Sequence, residues 1–258
     1  MELKGKRIIV TGGSRGMGAA TVRSYVKAGA KVASLDILDE LGDEVVKQAN
    51  AEGPGEATYY HCDLSNSEEV REVFAKVGNE FGGLDVLAHV AAVQRSIPAA
   101  EITDEDYDFL TNINIKGTIV TNQEAYKLMR ENGKGSIINF GSISGLRKEA
   151  GATLYSASKG AVMSWSRSIA AEWGPEGIRV NSILPAIDTP MYQEARSQLT
   201  DEQLEAMDAA NKQEIPLGGK YGDPDDDLGP VMVFLASDAS KFITGQLLPV
   251  DGGQATVR

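Results

Sequence analysis

The sequence predicts an α/β protein: one doubly wound, parallel sheet of about seven strands with helices on both faces. Three observations carry that expectation. Short apolar, β-branched runs alternate with segments of helical period along most of the 258 residues. The first run, Arg7-Ile8-Ile9-Val10, opens into the glycine-rich turn Thr11-Gly12-Gly13-Ser14-Arg15-Gly16-Met17-Gly18. The second run, Lys31-Val32-Ala33-Ser34-Leu35, ends in an acid, Asp36.

Bulk properties narrow the function classes. With 42% hydrophobic residues the chain can bury one substantial core. No repeat, low-complexity tract or linker divides it, so residues 1–258 are expected to form a single domain. No apolar run reaches about 18 residues, so no membrane span is expected. The opening Met1-Glu2-Leu3-Lys4-Gly5-Lys6 lacks a signal-peptide layout. One cysteine, Cys62, rules out an intrachain disulfide framework and suits a reducing, cytoplasmic setting. A formal charge of −12 argues against nucleic-acid binding.

The elements follow in order. Strand 7–10 feeds the glycine turn and a helix through about Ala28. Glycines 12, 16 and 18 let backbone N–H groups approach a pyrophosphate at that helix N-terminus. Asp36 ends strand 31–35, about 20 residues on, where an acid can accept hydrogen bonds from an adenosine ribose and repel a 2′-phosphate. NAD is therefore favoured over NADP, with Arg15 pulling mildly the other way. A helix at 39–52, a strand at 57–62, a helix at 67–81 and a strand at 84–88 come next. His61-Cys62-Asp63 resembles a metal cluster, but with two histidines in the chain the partners are missing, and strand-end packing is the better reading. Apolar spacing of Tyr107, Leu110, Ile113 and Val120 predicts one long helix over 104–131. It carries Asn114, whose polar side chain suits either a site or a local hydrogen bond.

Strand 136–140 leads through the loop bearing Ser142 to a helix at 155–173, then strand 178–183. From Pro185 to about Gly222 the alternation breaks, with an amphipathic helix near 192–212. This stretch is a candidate lid near 187–222, or a surface excursion. The acidic run Asp223–Asp227 reads as a helix N-terminus. A helix at 227–236 and a strand at 247–250 close the fold.

Tyr155-Ser156-Ala157-Ser158-Lys159 places a phenol and an ammonium four residues apart on one helical face. The lysine charge can lower the phenol pKa. From ~10, a depression of roughly three units, about 4 kcal/mol, makes it a proton carrier at neutral pH. Ser142 and Tyr155 both fall at the carboxyl edge of the sheet, beside the glycine turn.

Taken together, the turn at 11–18, Asp36, Asp63-Leu64, Asn114, Ser142, Tyr155 with Lys159, Asn181–Pro185, Thr189, Thr244-Gly245-Gln246 and Val250–Gly253 resemble the short-chain dehydrogenase/reductase family over nearly the full length. The resemblance implies a Rossmann-type sheet and a tetrad. Tyr155 exchanges a proton with the reacting oxygen, Ser142 hydrogen-bonds that oxygen, Lys159 holds the nicotinamide ribose, and Asn114 positions a water linked to Lys159. It implies cofactor contacts from Gly12, Ser14, Arg15, Gly16, Met17, Gly18, Asp36, Ile37, Asp63, Leu64, Ala91, Pro185, Ile187 and Thr189. Substrate contacts would come from Gln94, Ser144, Leu146, Ala186, Met191 and Tyr192, with Val93, Leu154 and Ile187 nearby. These are mostly apolar and suit a hydrophobic ketone or secondary alcohol. Arg95 and Arg147 leave an acidic substrate open. A 3-oxoacyl carrier-protein reductase and a non-catalytic dinucleotide sensor are the alternatives. A homotetramer packed through the helices near 104–131 and 155–173 is also implied.

Two departures stand out. His89-Val90-Ala91-Ala92 replaces the family's Asn-Asn-Ala-Gly, and Pro185-Ala186 replaces Pro-Gly. The added methyl groups are expected to narrow the nicotinamide pocket slightly without abolishing binding. His89 reads as a structural substitute for the asparagine rather than as an acid or base.

Overall fold

The computed structural model describes residues 2–255. Its seven strands are β1 (Arg7–Thr11), β2 (Lys31–Asp36), β3 (Glu56–His61), β4 (Val86–His89), β5 (Gly135–Phe140), β6 (Ile178–Pro185) and β7 (Leu247–Val250). They form one sheet in the order β3-β2-β1-β4-β5-β6-β7, parallel at every pairing. Order reverses between β1 and β4, so a crevice opens at their carboxyl ends.

Both faces of the sheet are covered, as the unbroken apolar character of β1 and β4 requires. Ile8 and Val10 point to one side with Val22, Tyr25 and Val26 of helix α1 (Gly16–Lys27), and with Met232 and Leu235 of α9 (Gly229–Ala236). Helix α2 (Asp39–Glu52) adds Ala49 to that layer. Ile9 points to the other side, among Phe74 of α3 (Ser67–Phe81), Met129 of α5 (Thr118–Arg130) and Ile169 of α6 (Thr153–Trp173).

Three helical expectations need correction. The single helix at 104–131 is two helices, α4 (Asp104–Thr111) and α5, joined by a wide π-type turn, Asn112–Gly117. Apolar periodicity does not register one inserted residue. The helix at 192–212 is likewise two, α7 (Pro190–Ser197) and α8 (Asp201–Glu214). Thr200 and Gln203 form a capping box that starts the second. A π-type turn, Pro224–Leu228, precedes α9, and Asp223 caps it by accepting the N–H groups of Asp225 and Asp226 at 2.8 Å each.

The excursion between β6 and α9 returns to its starting point. Ile187 bridges Gly222, with Asp188 N–H donating to Gly222 O at 2.8 Å and Gly222 N–H to Ala186 O at 3.0 Å. No helix among the described residues is long and apolar enough to cross a membrane.

Candidate active site

The crevice at the switch point is a cavity of about 380 Å3. One end is the glycine turn. A Cβ on Gly12, whose φ is 69°, would sit 2.8 Å from the Ala91 Cα, and one on Gly18 would sit 1.8 Å from the Gly12 carbonyl oxygen. Only glycine permits that approach. The first N–H groups of α1 have no intrahelical acceptor, so they are available to an anion. At the end of β2, the Asp36 carboxylate accepts the N–H groups of Ser14 at 3.0 Å, Ile37 at 2.7 Å and Leu38 at 3.2 Å, which fixes it on the cavity wall. These residues fit a dinucleotide: a phosphate cradle that a side chain would fill, and a fixed carboxylate one strand away.

Most of the expected cofactor residues line this cavity. They are Gly12, Arg15, Gly16, Met17 and Gly18 of the turn; Asp36, Ile37, Asp63 and Leu64 at the ends of β2 and β3; and Ala91, Pro185 and Thr189 beyond β4 and β6. Two do not. Ser14 turns its buried side chain away and contributes only its N–H to Asp36. Ile187 is buried in the layer beside Leu228. Leu38, Val90, Ala92, Ile113, Phe140 and Gly141 also line the wall. Ala92 is the methyl group expected beside the nicotinamide; the others carry only a place at or just past a strand end or, for Ile113, on the π-type turn.

At the other end stand Ser142, Tyr155 and Lys159. Helix α6 supplies the last two from adjacent turns. Lys159 is 4% exposed, and its ammonium donates to the Phe140 carbonyl at 2.7 Å. Burial lowers its pKa to about 8. Burial also pushes the Tyr155 phenol above its ordinary value, opposed by a hydrogen bond with Ser142 and reinforced by the charge of Glu149. The expected lysine-driven depression of the phenol is therefore corrected. The ammonium lies 5.8 Å from the Tyr155 ring centroid and is turned to Phe140, so desolvation governs the phenol. Ser142 is fixed by Ser144: Ser142 Oγ donates to Ser144 Oγ at 3.1 Å and accepts the Ser144 N–H at the same distance.

Asn114 does not reach the cavity. Its amide is engaged with Val93, accepting the N–H at 2.9 Å and donating to the carbonyl at 2.8 Å, and it also donates to Ser158 Oγ at 3.1 Å. It pins the segment after β4 to the π-type turn.

Among the expected substrate residues, Gln94, Val93 and Met191 line the cavity. Ser144 is buried behind Ser142, and Ala186 is buried with its N–H on Val250 O. Leu146 is 49% exposed and lies outside the cavity wall, as does Leu154. Tyr192 stacks on Tyr221 at 4.3 Å and accepts from Asn211 and Arg196, which holds it within the excursion. Ala92 and Ala186 need no unusual backbone, since no described non-glycine residue has a positive φ.

His89 is 2% exposed and outside the cavity. Three threonine hydroxyls surround its ring, at 3.1, 3.0 and 3.1 Å from Thr11, Thr118 and Thr121. Burial and the Lys159 charge lower its pKa to about 3, so it is neutral. At β3, His61 is half exposed and paired with Asp39 at 2.7 Å rather than packed, while Cys62 is buried. No group of three metal-ligating side chains occurs among the described residues.

Fold and cavity together define a nucleotide-dependent oxidoreductase of the α/β class. A family model described as enoyl-(acyl carrier protein) reductase matches residues 12–255. A 3-oxoacyl-[acyl-carrier-protein] reductase of Thermotoga maritima is 34% identical over 98% of this chain and 99% of its own length. A 2,5-dichloro-2,5-cyclohexadiene-1,4-diol dehydrogenase of Sphingobium indicum is 39% identical, covering 98% of each. The crystal structure of levodione reductase superposes with a TM-score of 0.90 at 28% identity, over 97% of this chain and 98% of the other. The chain belongs to the short-chain dehydrogenase/reductase family.

Proposed function

We propose that this chain is an NAD-dependent dehydrogenase/ketoreductase interconverting an uncharged, largely apolar secondary alcohol and its ketone. The observation that carries the reading is that Ser142, Tyr155 and Lys159 share one cavity with the glycine turn and Asp36. A bound nicotinamide supplies hydride transfer at its C4. Tyr155 Oη donates its proton to the reacting carbonyl oxygen in reduction, and the raised pKa keeps it protonated for that step. Ser142 Oγ turns its proton from Ser144 Oγ to the same oxygen, held in place by the Ser144 N–H that it accepts. Lys159, fixed on Phe140, presents its charge to the ribose side of the cleft. Asn114 positions the segment bearing Val93 and Gln94. The stretch 187–222 covers the substrate end as a lid within a single domain.

The charge at the mouth supports a neutral substrate. Arg95 is bonded to Asp106 at 2.9 Å and lies 3.9 Å over the Phe109 ring, and Arg147 faces Glu214 at 3.7 Å. Both arginines already face carboxylates of this chain, and neither lines the cavity. The family description and the T. maritima relative favour a second reading, a 3-oxoacyl carrier-protein reductase, which these engaged arginines and the net charge of −12 oppose.

A panel of cyclic and open-chain ketones, alcohols and 3-oxoacyl thioesters, followed by absorbance with NADH and NADPH, tests the choice. Neutral ketones with NADH are expected to turn over fastest. Tyr155→Phe should lower kcat at least about 100-fold with NAD affinity unchanged. Near-normal turnover in that variant refutes the assignment.

A further inference from the structure

The hydroxyls around His89 determine its tautomer. Thr118 Oγ1 gives its proton to the Asn114 carbonyl at 2.6 Å, so at 3.0 Å from His89 Nε2 it can only accept, and Nε2 carries the hydrogen. Nδ1 is then an acceptor. Because burial keeps the ring neutral, Nδ1 stays unprotonated; Thr121, also 3.1 Å away, directs its proton to the Gly117 carbonyl at 2.9 Å, whereas the Thr11 hydroxyl has no other acceptor among the described residues and donates to Nδ1 at 3.1 Å. Thr11 Oγ1 in turn accepts the Ala91 N–H at 3.4 Å. The chain of bonds is continuous. It runs from Ala91 through Thr11 to the imidazole, and on through Thr118 to the Asn114 carbonyl.

We propose that His89 is a positioning residue, held as a single neutral Nε2–H tautomer, that couples the cofactor-binding turn to the π-type turn carrying Asn114. One arm ends at Thr11 and Ala91, where the cavity wall closes on Gly12. The other ends at the Asn114 peptide, and through Asn114 reaches Val93 and Ser158 in the catalytic helix. A charged imidazole would break the first arm, because Nδ1–H cannot accept from Thr11. The groups facing the ring are hydroxyls from β1 and from the start of α5, and the one charge acting on it is Lys159.

Two substitutions separate the arms. An asparagine amide reaches about where Nδ1 lies and a glutamine amide about where Nε2 lies. His89→Asn should preserve the Thr11 arm: NAD dissociation constant within twofold, kcat down at least tenfold. His89→Gln should preserve the Thr118 arm: NAD binding weakened at least tenfold, kcat at saturating cofactor within threefold. Equal effects of the two on both quantities, or the reverse pattern, overturn the coupling. The kcat readings rest on the proposed dehydrogenase activity; NAD binding, followed by fluorescence or calorimetry, does not.

If either variant fails to fold, the wild-type ring decides. The chain has two histidines, so His61→Gln leaves one imidazole to observe. Nitrogen-15 shifts of that ring should show an unprotonated Nδ1 and a protonated Nε2, unchanged from pH 5 to 9. An Nδ1–H tautomer, or a titration near neutral pH, refutes the proposal.

Discussion

Lys159 shows burial competing with charge on one side chain. Folded, it loses its proton near pH 8; unfolded, near ~10.4. Between those values the unfolded chain binds more protons, so stability rises with pH across that window. Below it both states are charged and the cost of burying the ammonium is felt in full. Denaturant melts between pH 7 and 10 should show this against Lys159→Met. The wild-type minus variant difference is expected to change by up to about 1.4 kcal/mol per pH unit; a flat difference contradicts a buried ammonium. Asp36 carries a second expectation. Its carboxylate is fixed by three backbone N–H groups and faces the cavity that Arg15 also lines. Asp36→Ala should shift the NAD/NADP preference towards NADP by at least tenfold in kcat/KM, and an unchanged ratio would show that another group reads the ribose. The residue types at these positions were legible from spacing alone. What spacing does not show is which way a side chain turns. Ser14 and Asn114 are spaced like cavity residues, yet the Ser14 hydroxyl is buried away from the cavity and the Asn114 amide turns to the backbone of Val93.

Elements were legible where their signal is local. Each strand was expected within a few residues, because a β-branched run ended by glycine or a polar cap has few alternatives. The turn Asn112–Gly117 was not, since its cause is tertiary. Asn114 must meet both backbone groups of Val93, and Gly117 must pass the Leu64 carbonyl, 3.2 Å from where a Cβ would lie. The break between α7 and α8 did leave a local mark, Thr200 with Gln203, that apolar periodicity outweighed. At the π-type turn leading into α9, Asp223 caps two N–H groups, and Arg23 of α1 grips Asp225 through two bonds of 2.9 and 2.6 Å. Removing the cap in Asp223→Ala should cost about 1 kcal/mol, seen as a melting point lower by roughly 2–4 °C. No change in calorimetry would mean that the Arg23–Asp225 pair alone sets this end.

Across the whole molecule, the sheet layers account for the buried core, but the outer side of α5 and α6 keeps apolar groups at the surface. Ile115, Ile119, Ala161 and Trp165 line a shallow cavity of about 400 Å3 there. Val162 and Ile169 of the same helix are already buried within the chain, and Trp165 packs edge-on against Trp173 at 6.4 Å. The face thus has a rigid aromatic base and an unfilled rim. The homotetramer implied by resemblance would cover it. Light scattering is expected to give four times the 27.5 kDa chain mass, and Trp165→Glu to give a smaller species that still binds NAD. A monomeric wild type, or a variant of unchanged mass, removes this face as the contact.

The rung between Ile187 and Gly222 bears on how such a molecule changes over time. Departure and return of the intervening stretch lie side by side, so its contents can lengthen, shorten or be replaced without shifting the register of any strand. The nucleotide end has no such latitude, because Gly12 and Ala91 are in contact across the crevice. New specificities can therefore be acquired within that stretch beyond Pro190, while Thr189 and Pro190, which lie against Gly16, stay tied to the nucleotide rim.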